Sequence, residues 1–248
     1  MLTSVSSILT RALRRHSAAL LCSVSSHELL EAYIRAAELS REGFIIVVKG
    51  SHKGDHDTLH ALLATTVWRL EHHQLTWGIA LDLSLWNAHE QRSFLLGLKD
   101  FPALTLISNH QQRQIPKDWS WIEHTSTIPT VASLQEVARS LAPQAISIPI
   151  PVTDGRSKSN SVAQLAALRK ASSQPLIAQE ALLSPLMLKR QVRAGISGIT
   201  LDEQLEEAFT AGLRTGLRNR SLSHPEVYLA KGRLAVTNCV VNYLSHLN

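Results

Sequence analysis

The chain has 248 residues, 44% hydrophobic and 18% charged, with a mean hydropathy of zero. That profile predicts one globular domain spanning 1–248 that buries a full core, and it excludes a disordered or collagenous chain. A net charge of +5 is too mild for a nucleic-acid binder, and no apolar run is long enough to cross a bilayer, so neither nucleic acid nor membrane is expected as a partner. Two cysteines, Cys22 and Cys239, are too few for a disulfide framework or a Cys-based zinc site, which makes a cytoplasmic location the simpler expectation. The 12 histidines are the compositional oddity, and only their spacing can decide whether they bind metal.

Helix and strand signals alternate along nearly the whole chain. The first segment is basic and serine-rich, with Arg11, Arg14 and Arg15 and no acidic residue before Glu28. Two readings fit it: an organelle-targeting presequence, or an ordinary helix with Leu2, Val5, Ile8, Leu9 and Leu13 at helical spacing, followed by a strand over 18–22. A helix over 26–41 follows with Ser26 as N-cap, then a strand over 44–48 that is apolar at every position. A polar loop over 49–55 leads to a helix over 57–72, a strand over 77–83, a helix over 87–98 and a strand over 104–108.

Residues 109–121 show no periodicity and are too short for a full helix with its two turns. Beyond them the pattern resumes with strands over 122–127, 145–152, 176–178 and 198–201. Helices over 133–141, 161–171, 185–194 and 205–217 alternate with these, and a helix over 226–246 ends the chain. About eight β/α units in one unbroken domain predict a (β/α)8 TIM barrel with a shortened region between the fourth and fifth strands; an open doubly wound sheet is the alternative.

The C-terminal residues are the most distinctive. Gly198-Ile199-Thr200-Leu201-Asp202, Ala208-Phe209-Thr210, Pro225-Glu226, Tyr228-Leu229 and the basic Lys231 occur in the order seen at the last strand and two helices of class II, zinc-dependent ketose-bisphosphate aldolases. The chain resembles that family elsewhere as well: over 1–28, over 44–59, and from Leu81-Asp82 through Gly97. The resemblance implies an aldolase-like TIM barrel of carbohydrate metabolism, a folded N-terminal helix rather than a presequence, and a homodimer.

The family's chemistry needs His and Glu ligands that hold a zinc ion against the substrate carbonyl. Along the resemblance those ligands are missing. The first His falls on Leu83, which has no lone pair; the second falls within 150–155, which holds no His; the third, with its glycine-rich phosphate loop, falls on Ala178-Gln179-Glu180-Ala181-Leu182-Leu183-Ser184. A Glu-bearing loop after the fifth strand is missing within 109–127. The substrate-contacting Asn falls on Asp202, whose charge would repel a bisphosphate. What remains is vestigial: Asp82 at the position of the proton-donating Asp, with Asp202 and Gln179 at substrate-binding positions. Asp82 has a structural reading too, as a helix cap or the partner of a nearby base.

Histidines outside that frame offer little. His52, His56 and His60 recur every four residues and would share a helix face able to bind zinc, but His52 precedes Gly54 in a loop. His72 and His73 suit a helix C-terminus. His89, His110 and His124 have no partner at a readable spacing, and the register around Glu123 and His124 is open. No cofactor and no metal ligand is therefore expected. Trp86, Trp119 and Trp121 lie in loops on the strand-end side, where they are expected to fill the vacated pocket or meet a partner.

Two functions remain. The first is a non-catalytic aldolase-like binding, scaffold or regulatory subunit, pairing with itself, an active aldolase relative or another protein. The second is a carbon-carbon lyase or other sugar-phosphate enzyme with metal-independent chemistry using Asp82, in which a His or Lys supplies electrophilic stabilisation. The pocket discriminates: Leu83, Trp86, Leu182 and Leu183 packed into the mouth argue for the first, and a cavity in which Asp82 meets a basic residue argues for the second.

Overall fold

A computed structural model describes residues 1–49, 56–98, 101, 104–109, 119–150, 158–179, 185–218 and 224–247. Eight parallel strands, β1 (Ala19–Val24), β2 (Ile45–Lys49), β3 (Gly78–Asp82), β4 (Leu104–Ser108), β5 (Ser120–His124), β6 (Ala145–Pro149), β7 (Leu176–Gln179) and β8 (Ile196–Thr200), pair in chain order. β8 returns to β1, with Leu20 opposite Ile199. This closure makes the sheet a (β/α)8 barrel and removes the open-sheet alternative. The crossovers are α2 (His27–Ser40), α3 (His56–Glu71), α4 (Ala88–Leu96), α5 (Val131–Leu141), α6 (Lys158–Ala171) and α7 (Pro185–Arg193); α8 (Asp202–Leu217) and α9 (Pro225–Leu247) complete the ring. Among the described residues no helix is long and apolar enough to cross a membrane.

β4 and β5 are joined by residues 109–119 alone, the shortened region expected from the sequence, of which 110–118 lie outside the described residues. β5 begins two residues earlier than its apolar pattern suggests. Pairing of Thr105 with Ser120 and Leu106 with Trp121 sets the register, so Trp121 belongs to the ladder rather than to a loop.

Alternation along each strand separates two cores. Leu20, Cys22, Ile46, Val48, Leu81 and Ile148 point outward into the layer between strands and helices. Leu21, Val47, Ala80, Ile107, Ile122 and Ile177 point inward and fill the barrel.

The first helix, α1 (Val5–Arg14), joins that inner core. Ser4 caps it by accepting the Ser7 amide hydrogen, and Val5 and Leu9 are buried on one face. Leu9 enters the barrel floor at Gly198, where a Cβ would lie 2.9 Å from Leu9 Cδ2. Ahead of the helix, Leu2 bridges Trp77, and the Thr3 amide donates to the Trp77 carbonyl at 2.8 Å. The basic, serine-rich segment is thus an integral plug of the N-terminal end of the barrel.

Candidate functional site

Inward alternation brings polar residues to the C-terminal ends of the strands, the end where barrels of this kind carry their sites. Lys49 follows Ile45 and Val47 on the inner face of β2, Asp82 follows Ala80 on β3, and His124 follows Ile122 on β5. Together with Ser147, Gln179 and Asp202 they line a cavity of about 200 Å³ floored by Leu21, Val47, Ile107, Ile122 and Ile177. The three residues singled out from the sequence, Asp82, Gln179 and Asp202, therefore share one mouth. Lys49 and His124 join them there.

The centre of charge is Lys49. Its ammonium lies 3.6 Å from Asp202 Oδ2. Burial, the largest single influence, pulls its pKa down, but the carboxylates of Asp202 and Asp82, the Asp202 hydrogen bond and Glu206 outweigh it and hold the pKa above the usual lysine value. Lys49 is therefore a fixed positive charge at neutral pH, unsuited to act as a free-amine nucleophile. Asp202 does not present a bare negative charge to the mouth, as expected from the sequence; Lys49 neutralises it. Its other oxygen, Oδ1, is buried with no hydrogen-bond partner among the described residues.

Asp82 does not cap the next helix, one of the two structural roles its sequence position allows; it shapes a turn and supports a base instead. Its Oδ1 accepts the Ser84 amide hydrogen at 2.9 Å, shaping the turn after β3, and its charge supports Lys49. α4 is capped separately, by Asn87 and Glu90 in a reciprocal pair. The turn is braced from behind by Gln91, fully buried, which donates to the Leu83 and Trp86 carbonyls at 2.9 and 3.0 Å. Ser108 Oγ lies 3.4 Å from Gln91 Oε1. Gln91→Leu should lower stability by about 2–3 kcal/mol, because two buried carbonyls lose their donor; the shift in urea midpoint checks this. Opposite, Gln179 Nε2 donates to the Thr125 carbonyl at 3.1 Å and lies 3.4 Å from His124 Nδ1.

Several expectations are corrected. Trp86 does not fill the mouth: it is buried in the outer layer, stacked on His56 with ring centroids 5.0 Å apart and edge-on to Phe94 at 5.3 Å. Trp121 points into the same layer and Trp119 packs against it. Leu83 also faces that layer, so a second outward side chain leaves the mouth open. His56 and His60, where no metal is expected, meet different rings: His60 lies 5.4 Å from Phe101 while His56 stacks on Trp86. His52, His110, Leu182, Leu183 and most of 150–155 lie outside the described residues.

The family that the sequence resembles implies zinc. The mouth's donors do not fit it: Asp82 is held by a turn, Asp202 by an ammonium, and His124 adds only one imidazole. Among the described residues no group of three His, Cys, Asp or Glu is placed to hold a metal.

No protein-family model and no curated protein matches the chain. Solved structures do. The YdjI aldolase of Escherichia coli K12 superposes with a TM-score of 0.78 at 15% identity, over 100% of this chain and 98% of that one. A putative fructose-1,6-biphosphate aldolase from Coccidioides immitis gives 0.77 at 13% identity, over 97% and 93%. The fructose-bisphosphate aldolase of Campylobacter jejuni gives 0.76 at 12% identity, over 100% and 95%. The chain has the fold of these aldolases along its whole length.

Proposed function

We propose that this chain is an aldolase-like barrel that has lost zinc-dependent aldol cleavage and acts by binding, as a non-catalytic scaffold or regulatory subunit paired with a second copy or an active aldolase-like chain. The observation that carries the reading is the lysine-centred mouth: Lys49 is ion-paired with Asp202 and lies in the field of Asp82, and the first family ligand position, Leu83, is turned out of the barrel. A cavity of about 200 Å³ is also small beside ordinary ligand sites of roughly 300–1,000 Å³. It suits a small polar molecule that hydrogen-bonds to the side chains lining the mouth.

The same mouth favours a second reading, because a cavity in which Asp82 meets a base is what metal-independent chemistry would need. There Lys49 would stabilise a developing oxyanion and Asp82 would move the proton. Measuring the metal content of purified protein, and cleavage of fructose and tagatose bisphosphates with and without added zinc, separates the readings. The binding role predicts no bound zinc and no cleavage. Zinc-independent cleavage abolished by Lys49→Met and Asp82→Asn would establish the second reading, and zinc-dependent cleavage would overturn both.

A further inference from the structure

At the opposite end of the barrel lies a cavity of about 400 Å³, twice the volume of the mouth. It sits between the ends of α1 and α2 and the N-terminal ends of β1 and β2, with Thr76 ahead of β3 forming one wall. Its floor is closed by Ala12, Ala18, Leu20 and Phe44, which are buried beneath it. Among the described residues its rim carries three arginines, Arg11, Arg15 and Arg41, against one carboxylate, Glu42.

We infer that this cavity is a binding site for a small polyanion, with two or more phosphate or carboxylate charges on the arginine rim. Among the described residues none of the three guanidiniums is ion-paired or hydrogen-bonded through its side chain, whereas Arg35, Arg69 and Arg233 elsewhere pair with Glu38, Glu31 and Glu28. Interaction with helix C-termini accounts for basic residues in the last turn of α1, but it does not account for the division among them: Arg14 stays outside the cavity while Arg11 and Arg15 line it. Arg41 reaches the rim from a left-handed backbone conformation (φ 57°) at the end of α2, a position where glycine is the usual residue. A planar fork with several donors suits phosphate and carboxylate oxygens, and three of them on one concavity favour a multiply charged ligand over a single halide. The volume falls within the range of small-molecule sites.

Calorimetric titration with ADP and with inorganic pyrophosphate tests the site. ADP and pyrophosphate are each expected to bind once per chain, because both present two or more negative charges to the rim. Arg11→Ala and Arg15→Ala should each weaken ADP binding about 10-fold or more, the loss expected for one charge-assisted contact. Arg41→Gly should abolish much of the binding while leaving the Tm of the unliganded protein in place, since glycine accepts the left-handed backbone. Lys49→Ala should still bind ADP, which separates this site from the mouth. Failure of wild-type protein to bind either anion at about 10 mM would overturn the inference. Binding that Lys49→Ala removes and the arginine variants retain would overturn it equally.

Discussion

Gly43→Ala should destabilise the barrel by about 4 kcal/mol, a large share of the roughly 5–15 kcal/mol that holds a domain together. A Cβ on Gly43 would lie 1.8 Å from the Thr76 carbonyl oxygen and 2.7 Å from its carbon. Both are backbone atoms, so no side-chain rotation relieves the overlap. Nearby, the Gly78 amide donates to the Phe44 carbonyl at 3.2 Å, Trp77 is fully buried, and its ring lies 5.1 Å from Phe44. The chain around residue 43 must therefore separate from β3 at its first rung or open the Phe44–Trp77 contact. Urea denaturation should show a lower midpoint with unchanged slope, and hydrogen exchange should show the loss first in β2 and β3.

Leu9→Ala should cost about 3 kcal/mol, within the range for truncating a buried leucine. Leu9 is fully buried, and its side chain plugs the barrel at Gly198 among the inward residues of the strands. The cavity left behind would be bounded by α1 on one side and strand backbone on the other, and neither closes readily. A dispensable presequence would predict no change on this substitution. The difference in thermal midpoint between wild type and variant measures the effect.

Much of the architecture was legible because local pattern and final structure agree. The run Ile45-Ile46-Val47-Val48 is apolar on both faces, as a strand buried between core and helices must be, and it is β2. β4 and the start of β6 were equally plain. β5 was harder, because it places Glu123 fully buried on its outer face and His124 on its inner one. Polar residues on both faces erase a period-2 signal, so pairing with β4 sets the register.

The candidate site was legible only in part. Asp82, Gln179 and Asp202 were singled out through family resemblance, and the barrel does bring them to one mouth. Lys49 carries a readable signal of its own: continuing the alternation from Ile45 and Val47 turns it inward. Trp86 misled because its position after a strand end suggests the mouth, whereas Gln91 draws that turn outward onto His56 and Phe94.

The sequence by itself determined the alternation of strands and helices, the short connection after β4 and the apolar face of α1. Each of these is a property of residues near one another in the chain. Only the tertiary structure decided that Lys49 faces Asp202, 153 positions later, and that Arg11, Arg15 and Arg41 surround one cavity at the barrel's other end. Those meetings depend on closure of β8 onto β1 and on α1 folding under the barrel, and no local periodicity encodes a distance between strands that are far apart in sequence.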